Sequence, residues 1–203
     1  MINQKKAIKQ LHELRKRGKE LRLAADGWDE DWKTLISTAL SARTRDDVTI
    51  RVSDELYKRY KTLRELANAN PKEVAGVIRP VNFFRNKTKS IIGCAKALVK
   101  DYNGKVPHDF VKLTELPGVG RKTANVFLAE KGHAAIGVDT HLDYIAHYLG
   151  WTKGKKQEDV EKDLEKLFPK RYWKDINWIL VRFGQTHRSR LKKNKILDEI
   201  KRV

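Results

Sequence analysis

Apolar residues recur at helical spacing along almost the whole chain, and this pattern constrains the fold more than any other feature. Stripes with intervals of three and four residues begin at Trp32, Ile91, Leu142 and Ile176. Such spacing places the apolar side chains on one face of an α-helix, whereas the strict alternation typical of a strand does not occur. The sequence therefore predicts an all-α fold with ten or more helices and no sheet.

The connections between the helical segments are short. Glycine and proline punctuate the chain at close intervals, and no long linker or low-complexity tract interrupts it. Short connections favour packed helical lobes over domains joined by tethers.

The chain is strongly basic, with 44 Lys and Arg against 26 Asp and Glu, a net charge of +18. A polyanionic partner such as nucleic acid accounts for this charge, because each neutralised phosphate releases a counterion. A basic surface that serves only solubility is the alternative.

The chain contains one cysteine, Cys94. One cysteine cannot form an intramolecular disulfide, nor can it supply a cysteine-ligated zinc or iron–sulfur site within one chain. Residues 1–22 are too charged for a signal peptide or a membrane-spanning helix. These features predict an intracellular, cytoplasmic protein without a membrane partner.

Residues 116–125 have the sequence LPGVGRKTAN, between helical patterns at 107–115 and 121–130. Gly118 and Gly120 permit a tight turn and a close approach to the backbone. The amides at the start of the second helix, next to Arg121, then favour an anion. An ordinary helix–helix turn is the alternative, but the full run in a basic chain favours a DNA phosphate.

This run, followed by VDTH at 138–141, resembles the helix-hairpin-helix DNA glycosylase superfamily, and most closely endonuclease III. The sequence LISTALSARTRDD at 35–47 is similar to the first barrel helix of that family. The resemblance implies two helical lobes flanking a DNA-binding cleft. A helical barrel with the hairpin would span residues 30–134, and residues 1–29 with 135–203 would form the second lobe.

The catalytic lysine of the family falls on Lys122 and its catalytic aspartate on Asp139. A lysine amine can attack C1′ of a sugar, displace the base and form a Schiff base, from which β-elimination cuts the strand. The helix N-terminus and the charge of Arg121 favour the neutral amine. Phosphate binding is the alternative role for Lys122. Asp139 could instead cap the following helix, and the two roles can coexist.

The resemblance also implies several contacts with DNA. Arg43 falls where the family fills the gap left by an extruded nucleotide, a position at which endonuclease III commonly has glutamine. Phe83 falls on the intercalating wedge, with a core aromatic as the alternative. Arg85 and Lys87 flank it and could contact phosphates.

Two further contacts are expected near the C-terminal half. His141 would lie in the first turn of a helix, where it reaches the DNA backbone or packs as a polar residue. Arg188 opens a basic tail whose helix could bind phosphate or be a solvated face. The apolar residues expected to pack this helix are Leu191, Ile196, Leu197 and Ile200.

No cofactor is expected to be required. Endonuclease III usually ends in four cysteines that hold a 4Fe–4S cluster, and the tail of this chain has none, so we predict a member without a cluster. A structural monovalent cation at the hairpin is also implied, held by the backbone carbonyls of Thr114, Leu116 and Val119.

Together these features predict a monomeric, bifunctional DNA glycosylase and abasic-site lyase. Its substrate would be double-stranded DNA with an oxidised pyrimidine or an abasic site. One alternative is a monofunctional glycosylase for mismatched thymine, uracil or adenine, although such relatives generally lack a lysine at position 122. The other is a non-enzymatic helix-hairpin-helix DNA-binding protein, which would not explain the combination of Lys122 with Asp139.

Overall fold

The structure is a computed structural model that describes residues 2–203. Twelve α-helices and one 3-10 turn make up its regular elements, and no strand occurs within the described residues. The predicted all-α fold is thus confirmed. None of the described helices combines the length with the apolar character that crossing a bilayer requires.

The chain forms two compact units, of which one is contiguous and spans Arg22–Glu130. Its helices are α2 (Asp31–Leu40), α3 (Asp46–Arg59), α4 (Leu63–Ala67), α5 (Pro71–Val77), α6 (Phe84–Asp101), α7 (Phe110–Glu115) and α8 (Arg121–Glu130). The long helix α6 packs against α2, α4 and α5, and α8 packs against α2 and α7. This unit therefore positions the hairpin between α7 and α8.

The other unit is discontinuous and combines the described residues up to Leu21 with Lys131–Val203. Its helices are α1 (Gln4–Arg17), α9 (Thr140–Leu149), α10 (Gln157–Leu167), α11 (Trp173–Thr186) and α12 (Arg190–Arg202), with the 3-10 turn at Lys170–Tyr172. Helix α1 packs against α11 and α12, and α9 packs against α10, α11 and α12. The bounds of both units differ by several residues from those expected from the sequence.

Side-chain caps set several helix starts. The side chain of Asp109 accepts a hydrogen bond from the amide of Lys112, so α7 begins at Phe110 and not at Pro107 as the apolar pattern predicted. Asp139 caps α9 in the same way, and Gly150 ends α9 in the left-handed conformation. Such caps satisfy amides that have no partner within the helix.

The C-terminal helix α12 packs through fewer residues than the sequence predicted. Leu197 and Ile200 are fully buried in the core of the discontinuous unit, and Ile196 packs against that core. Leu191, however, is 71% exposed, so its predicted packing role is wrong. Leu191 precedes Ile200 by about two and a half helical turns, so it lies on the opposite side of α12.

Candidate functional site

The hairpin turn between α7 and α8 depends on Gly118. This glycine has a φ of +79°, and a Cβ added to it would lie 2.5 Å from Cβ of Ser90 on α6. Any side chain here would meet both the strain of the left-handed region and a steric clash. The amide of Val119 closes the turn by donating to the carbonyl of Leu116 at 3.1 Å. Gly118 therefore determines both the shape of the hairpin and how closely the hairpin packs against α6.

Gly120 has a different environment. It is exposed, and a Cβ added to it would meet no atom within 4 Å. Its carbonyl accepts the first hydrogen bond of α8, from the amide of Ala124 at 3.0 Å. The chain thus leaves open space at the start of α8, as a site for an approaching anion requires.

Lys122 is the second residue of α8 and is half-buried. The first turn of α8 contains no acidic residue, so the helix dipole and the basic side chains have the same sign there. The guanidinium of Arg121 lies 4.7 Å from the centre of the Phe110 ring, a cation–π contact that ties α8 to α7.

Arg43 and Phe83 lie together in the contiguous unit. The guanidinium of Arg43 is 5.9 Å from the centre of the Phe83 ring, and that ring is 57% exposed. The alternative of a core aromatic at Phe83 is therefore wrong. Both residues have positive φ angles, 55° and 59°, a costly conformation for residues with side chains that persists only where the surroundings impose it.

Asn82 and Thr44 connect these two residues. The side-chain amide of Asn82 donates to the carbonyl of Arg43, and its backbone amide donates to the hydroxyl of Thr44 at 3.1 Å. Neither residue was expected from the sequence to belong to the site. Nothing in their spacing indicates the contact, because it joins residues almost forty positions apart.

Lys87 also differs from its expected role. Its ammonium group donates to the carbonyls of Leu40 at 2.6 Å and Ala42 at 2.7 Å, and to the hydroxyl of Thr44 at 3.2 Å. Burial, together with the nearby positive charge of Lys122, lowers the pKa of Lys87 to about 8. A phosphate contact does not fit this geometry, because the three hydrogens of the ammonium group already have acceptors. Arg85, by contrast, is exposed.

Asp139 begins α9 in the discontinuous unit. Its Oδ1 accepts a hydrogen bond from the amide of Leu142 at 2.8 Å, which confirms the predicted cap. The residues just before it are anchored firmly. Ile136 and Val138 are buried in the core, and the buried side chain of Asn177 donates to the carbonyl of Gly137 at 2.5 Å.

The remaining expected DNA contacts also lie in the discontinuous unit. His141 is in the first turn of α9 and packs against Gly184 of α11, so closely that a Cβ at Gly184 would lie 2.3 Å from its Nδ1. His141 thus packs as a polar residue between the two helices, which is one of the two arrangements expected from the sequence. Arg188 is exposed between α11 and α12, and its contact with DNA stays a prediction.

The residues present do not fit a four-cysteine iron–sulfur cluster. Cys94 is the one cysteine of these 203 residues. It is buried on α6, and burial raises the pKa of its thiol to about 12, whereas a metal ligand must be a thiolate. The monovalent cation site stays a prediction. One of its three carbonyls, that of Leu116, already accepts the amide of Val119 and so has one lone pair engaged.

Comparison with known proteins identifies relatives over most of the chain. The model of the HhH-GPD superfamily of base excision DNA repair proteins matches residues 36–170. Endonuclease III of Thermotoga maritima is 41% identical over 157 residues, which are 77% of this chain and 74% of the relative. Endonuclease III of Bacillus subtilis is 36% identical over 158 residues, covering 77% of this chain and 72% of the relative.

The fold also matches solved structures. A trapped covalent intermediate of endonuclease III with DNA has a TM-score of 0.85 and 31% identity, covering 93% of this chain and 89% of that chain. A thermostable thymine-DNA glycosylase is 20% identical with a TM-score of 0.78, and at that identity the likeness concerns the fold alone.

Proposed function

Because the chain belongs to the HhH-GPD superfamily of base excision DNA repair proteins and, within it, to the endonuclease III family, we propose that Lys122 is its nucleophile and Asp139 its supporting acid. The protein is a base excision repair DNA glycosylase and abasic-site lyase. We further propose that it acts inside the cell, as a monomer, on double-stranded DNA, and that oxidised pyrimidines are its damaged bases.

One observation carries the proposal: Lys122 is in the first turn of α8, two residues after the open backbone of Gly120. An amine in this place meets a DNA strand whose phosphate is bound by the neighbouring amides. The resemblance of the surrounding run to endonuclease III supports the assignment. A related protein that is 31% identical has been trapped as a covalent intermediate with DNA.

The chemistry follows from the amine. The nitrogen of Lys122 forms a bond to C1′ of the sugar, and the bond between C1′ and the base breaks with its electron pair leaving on the base. A proton then neutralises the departing base, and opening of the sugar ring at its oxygen leaves a Schiff base at C1′.

The imine acidifies the proton on C2′. When a base removes that proton, the electron pair forms a double bond and the C3′–O bond breaks, so the strand is cut and the 3′ phosphate leaves. Water then hydrolyses the imine and restores the amine. Asp139 is suited to exchange protons in this sequence, because its cap holds the carboxylate in one orientation.

Borohydride trapping tests the proposal. The protein is incubated with a duplex that contains one oxidised pyrimidine, and the imine is then reduced to a stable adduct. We expect a covalent protein–DNA adduct with the wild type and with Lys112→Ala, an exposed lysine of α7, but none with Lys122→Ala. Base release without any adduct would instead indicate a monofunctional glycosylase. Binding with neither product would contradict the enzymatic proposal.

A further inference from the structure

Lys87 connects helix α6 to the loop that carries Arg43. We call residues 40–44, which are the last residue of α2 and the turn after it, the Arg43 loop. The ammonium group of Lys87 donates to two carbonyls and one hydroxyl of this loop, at distances of 2.6 to 3.2 Å. An ammonium group has three hydrogens, and each has an acceptor here. Lys87 thus binds the Arg43 loop as a small cation would.

The Arg43 loop needs such support. Arg43 is exposed and has a φ of 55°, and Phe83 is 57% exposed with a φ of 59°. Left-handed backbone at residues with side chains costs on the order of 1 kcal/mol each. Neither side chain offsets this cost by burial in the core. Hydrogen bonds from Asn82 and Lys87, on either side of Phe83, are what hold the two residues next to each other.

Lys87 also interacts electrostatically with the proposed nucleophile. The charged group that acts on it is Lys122 on α8, while its neighbours in the Arg43 loop are uncharged acceptors. Burial and this repulsion together lower the pKa of Lys87 to about 8. A Lys87 that has lost its proton keeps two hydrogens, so one of its three acceptors in the Arg43 loop then loses its donor.

We propose that Lys87 is a positioning residue for the reaction, through its contacts with the Arg43 loop. It holds this loop in the shape in which Arg43 and Phe83 meet DNA together. This inference rests on the proposed function of Lys122. No contact between Lys87 and DNA is needed for it.

The test compares variants of Lys87 with a matched lysine of the same helix. Lys87→Met keeps the aliphatic stem but removes the charge and the donors, whereas Lys87→Arg keeps both. Lys96→Met removes the same charge from an exposed site on α6. For each protein, two quantities are measured: the dissociation constant for a duplex with a stable abasic-site analogue, and the single-turnover rate of borohydride-trapped adduct on a true abasic site from pH 6 to 9.5.

We expect Lys87→Met to slow adduct formation at pH 7 by about 10-fold or more, the scale of a misplaced reacting group. It should also weaken binding of the analogue, whereas Lys96→Met should stay within about twofold of the wild type since it loses only a surface charge. The wild-type rate should stop rising near pH 8, where Lys87 loses its proton. This break should be absent from both Lys87→Met and Lys87→Arg, and the arginine variant should recover most of the rate at pH 7.

A second variant weakens the Arg43 loop without removing the ammonium group of Lys87, and it does not depend on the folding of Lys87→Met. The hydroxyl of Thr44 accepts from both Lys87 and Asn82. Thr44→Val should therefore weaken binding roughly threefold, the effect of one or two lost hydrogen bonds, while the break near pH 8 remains.

The inference is overturned if Lys87→Met matches the wild type in binding and rate, or if the break near pH 8 persists in it. Loss of binding and rate with the break retained would reduce Lys87 to a structural residue and would also overturn it. Failure of the proposed function gives a different result. In that case the wild type itself forms no adduct, although the dissociation constants still report on the Arg43 loop.

Discussion

The segment that leads to Asp139 and the loop that carries Arg43 are held in place by opposite means. Before Asp139, Ile136 and Val138 are buried in an apolar core, and Asn177 binds the intervening carbonyl. In the Arg43 loop Ala42 and Arg43 are exposed, and the loop depends on hydrogen bonds from Asn82 and Lys87. Apolar burial involves no titrating group, whereas the contacts of a half-buried ammonium group change when it loses its proton. The comparison indicates that protonation leaves the segment before Asp139 unchanged but alters the contacts that hold the Arg43 loop.

The largest effect on activity is expected from substitution of Asp139, the residue that follows the apolar segment. Asp139→Asn removes the carboxylate but keeps an oxygen that can cap α9, so the fold should be retained. The single-turnover rate of base release should fall by about 100-fold or more, the usual contribution of a general acid or base. A rate within about tenfold of the wild type would remove Asp139 from the chemistry. Asp139→Ala should show the same loss of rate, plus about 1 kcal/mol of destabilisation from the lost cap.

The apolar anchor itself should account for the next effect. Ile136 is fully buried, and Ile136→Ala should lower the free energy of unfolding by about 2–4 kcal/mol through lost contacts and a cavity. Urea unfolding measures this value. The conservative Ile136→Val should cost only about 1 kcal/mol. A negligible cost for alanine would mean that the segment is held by its hydrogen bonds, and the contrast with the Arg43 loop would disappear.

In the Arg43 loop, removal of a residue that holds the loop should lower the affinity for DNA more than the free energy of unfolding. Asn82→Ala removes the side-chain donor to the carbonyl of Arg43. Because Asn82 is exposed, the free energy of unfolding should change by less than about 1 kcal/mol. The affinity for a duplex with an abasic-site analogue should fall about 10-fold, since Arg43 and Phe83 are no longer held together. Equal losses of stability and affinity would show that the loop is part of the core.

The smallest effect is a dependence of stability on pH. The pKa of Lys87 is lowered to about 8 in the folded protein, against 10.5 for an ordinary lysine. Between these values the unfolded chain binds more protons than the folded one, so this group makes stability rise with pH. Solvent reaches the half-buried amine, which limits the rise to about 1 kcal/mol.

Lys87→Met should lack this rise, and the difference between the two stability curves from pH 7.5 to 10 measures it. Cys94 acts in the opposite direction above pH 9, because burial raises the pKa of its thiol. It is the same in both proteins and cancels in the difference. If the stability of the two proteins changes in parallel with pH, the pKa of Lys87 is not lowered by burial.

The sequence predicted what local patterns determine. The helical spacing predicted the α-fold, and the run at 116–125 predicted a turn with Lys122 at a helix start. The cap at Asp139 followed from its place before an amphipathic run. Other features depend on contacts between distant residues. The acceptors of Lys87 are carbonyls more than forty positions away, and backbone carbonyls leave no mark in a sequence. The sequence therefore suggested a phosphate as the partner of Lys87 and gave no sign of these carbonyls.

The exact start of a helix and the burial of a single apolar residue were also not predictable from local patterns. Helix α7 was expected from Pro107, but Asp109 captures the amide of Lys112 and delays the start to Phe110. Leu191 was expected to pack but is exposed, because it lies on the side of α12 opposite to Ile200. An apolar residue in a helical segment packs into the core only when it shares a face with its apolar neighbours.

The discontinuous unit has a consequence for synthesis of the chain on the ribosome. Helix α1 is made before the other described helices, whereas the helices that cover it, α11 and α12, are made after them. The buried side chain of Gln10 on α1 bonds to Trp151 and to the carbonyl of Ile200. During translation the whole of Arg22–Glu130 emerges while α1 still exposes Leu11 and Leu14 to solvent. A nascent chain that stalls before α11 therefore exposes the apolar face of α1. We expect prematurely terminated chains of this protein to aggregate for that reason.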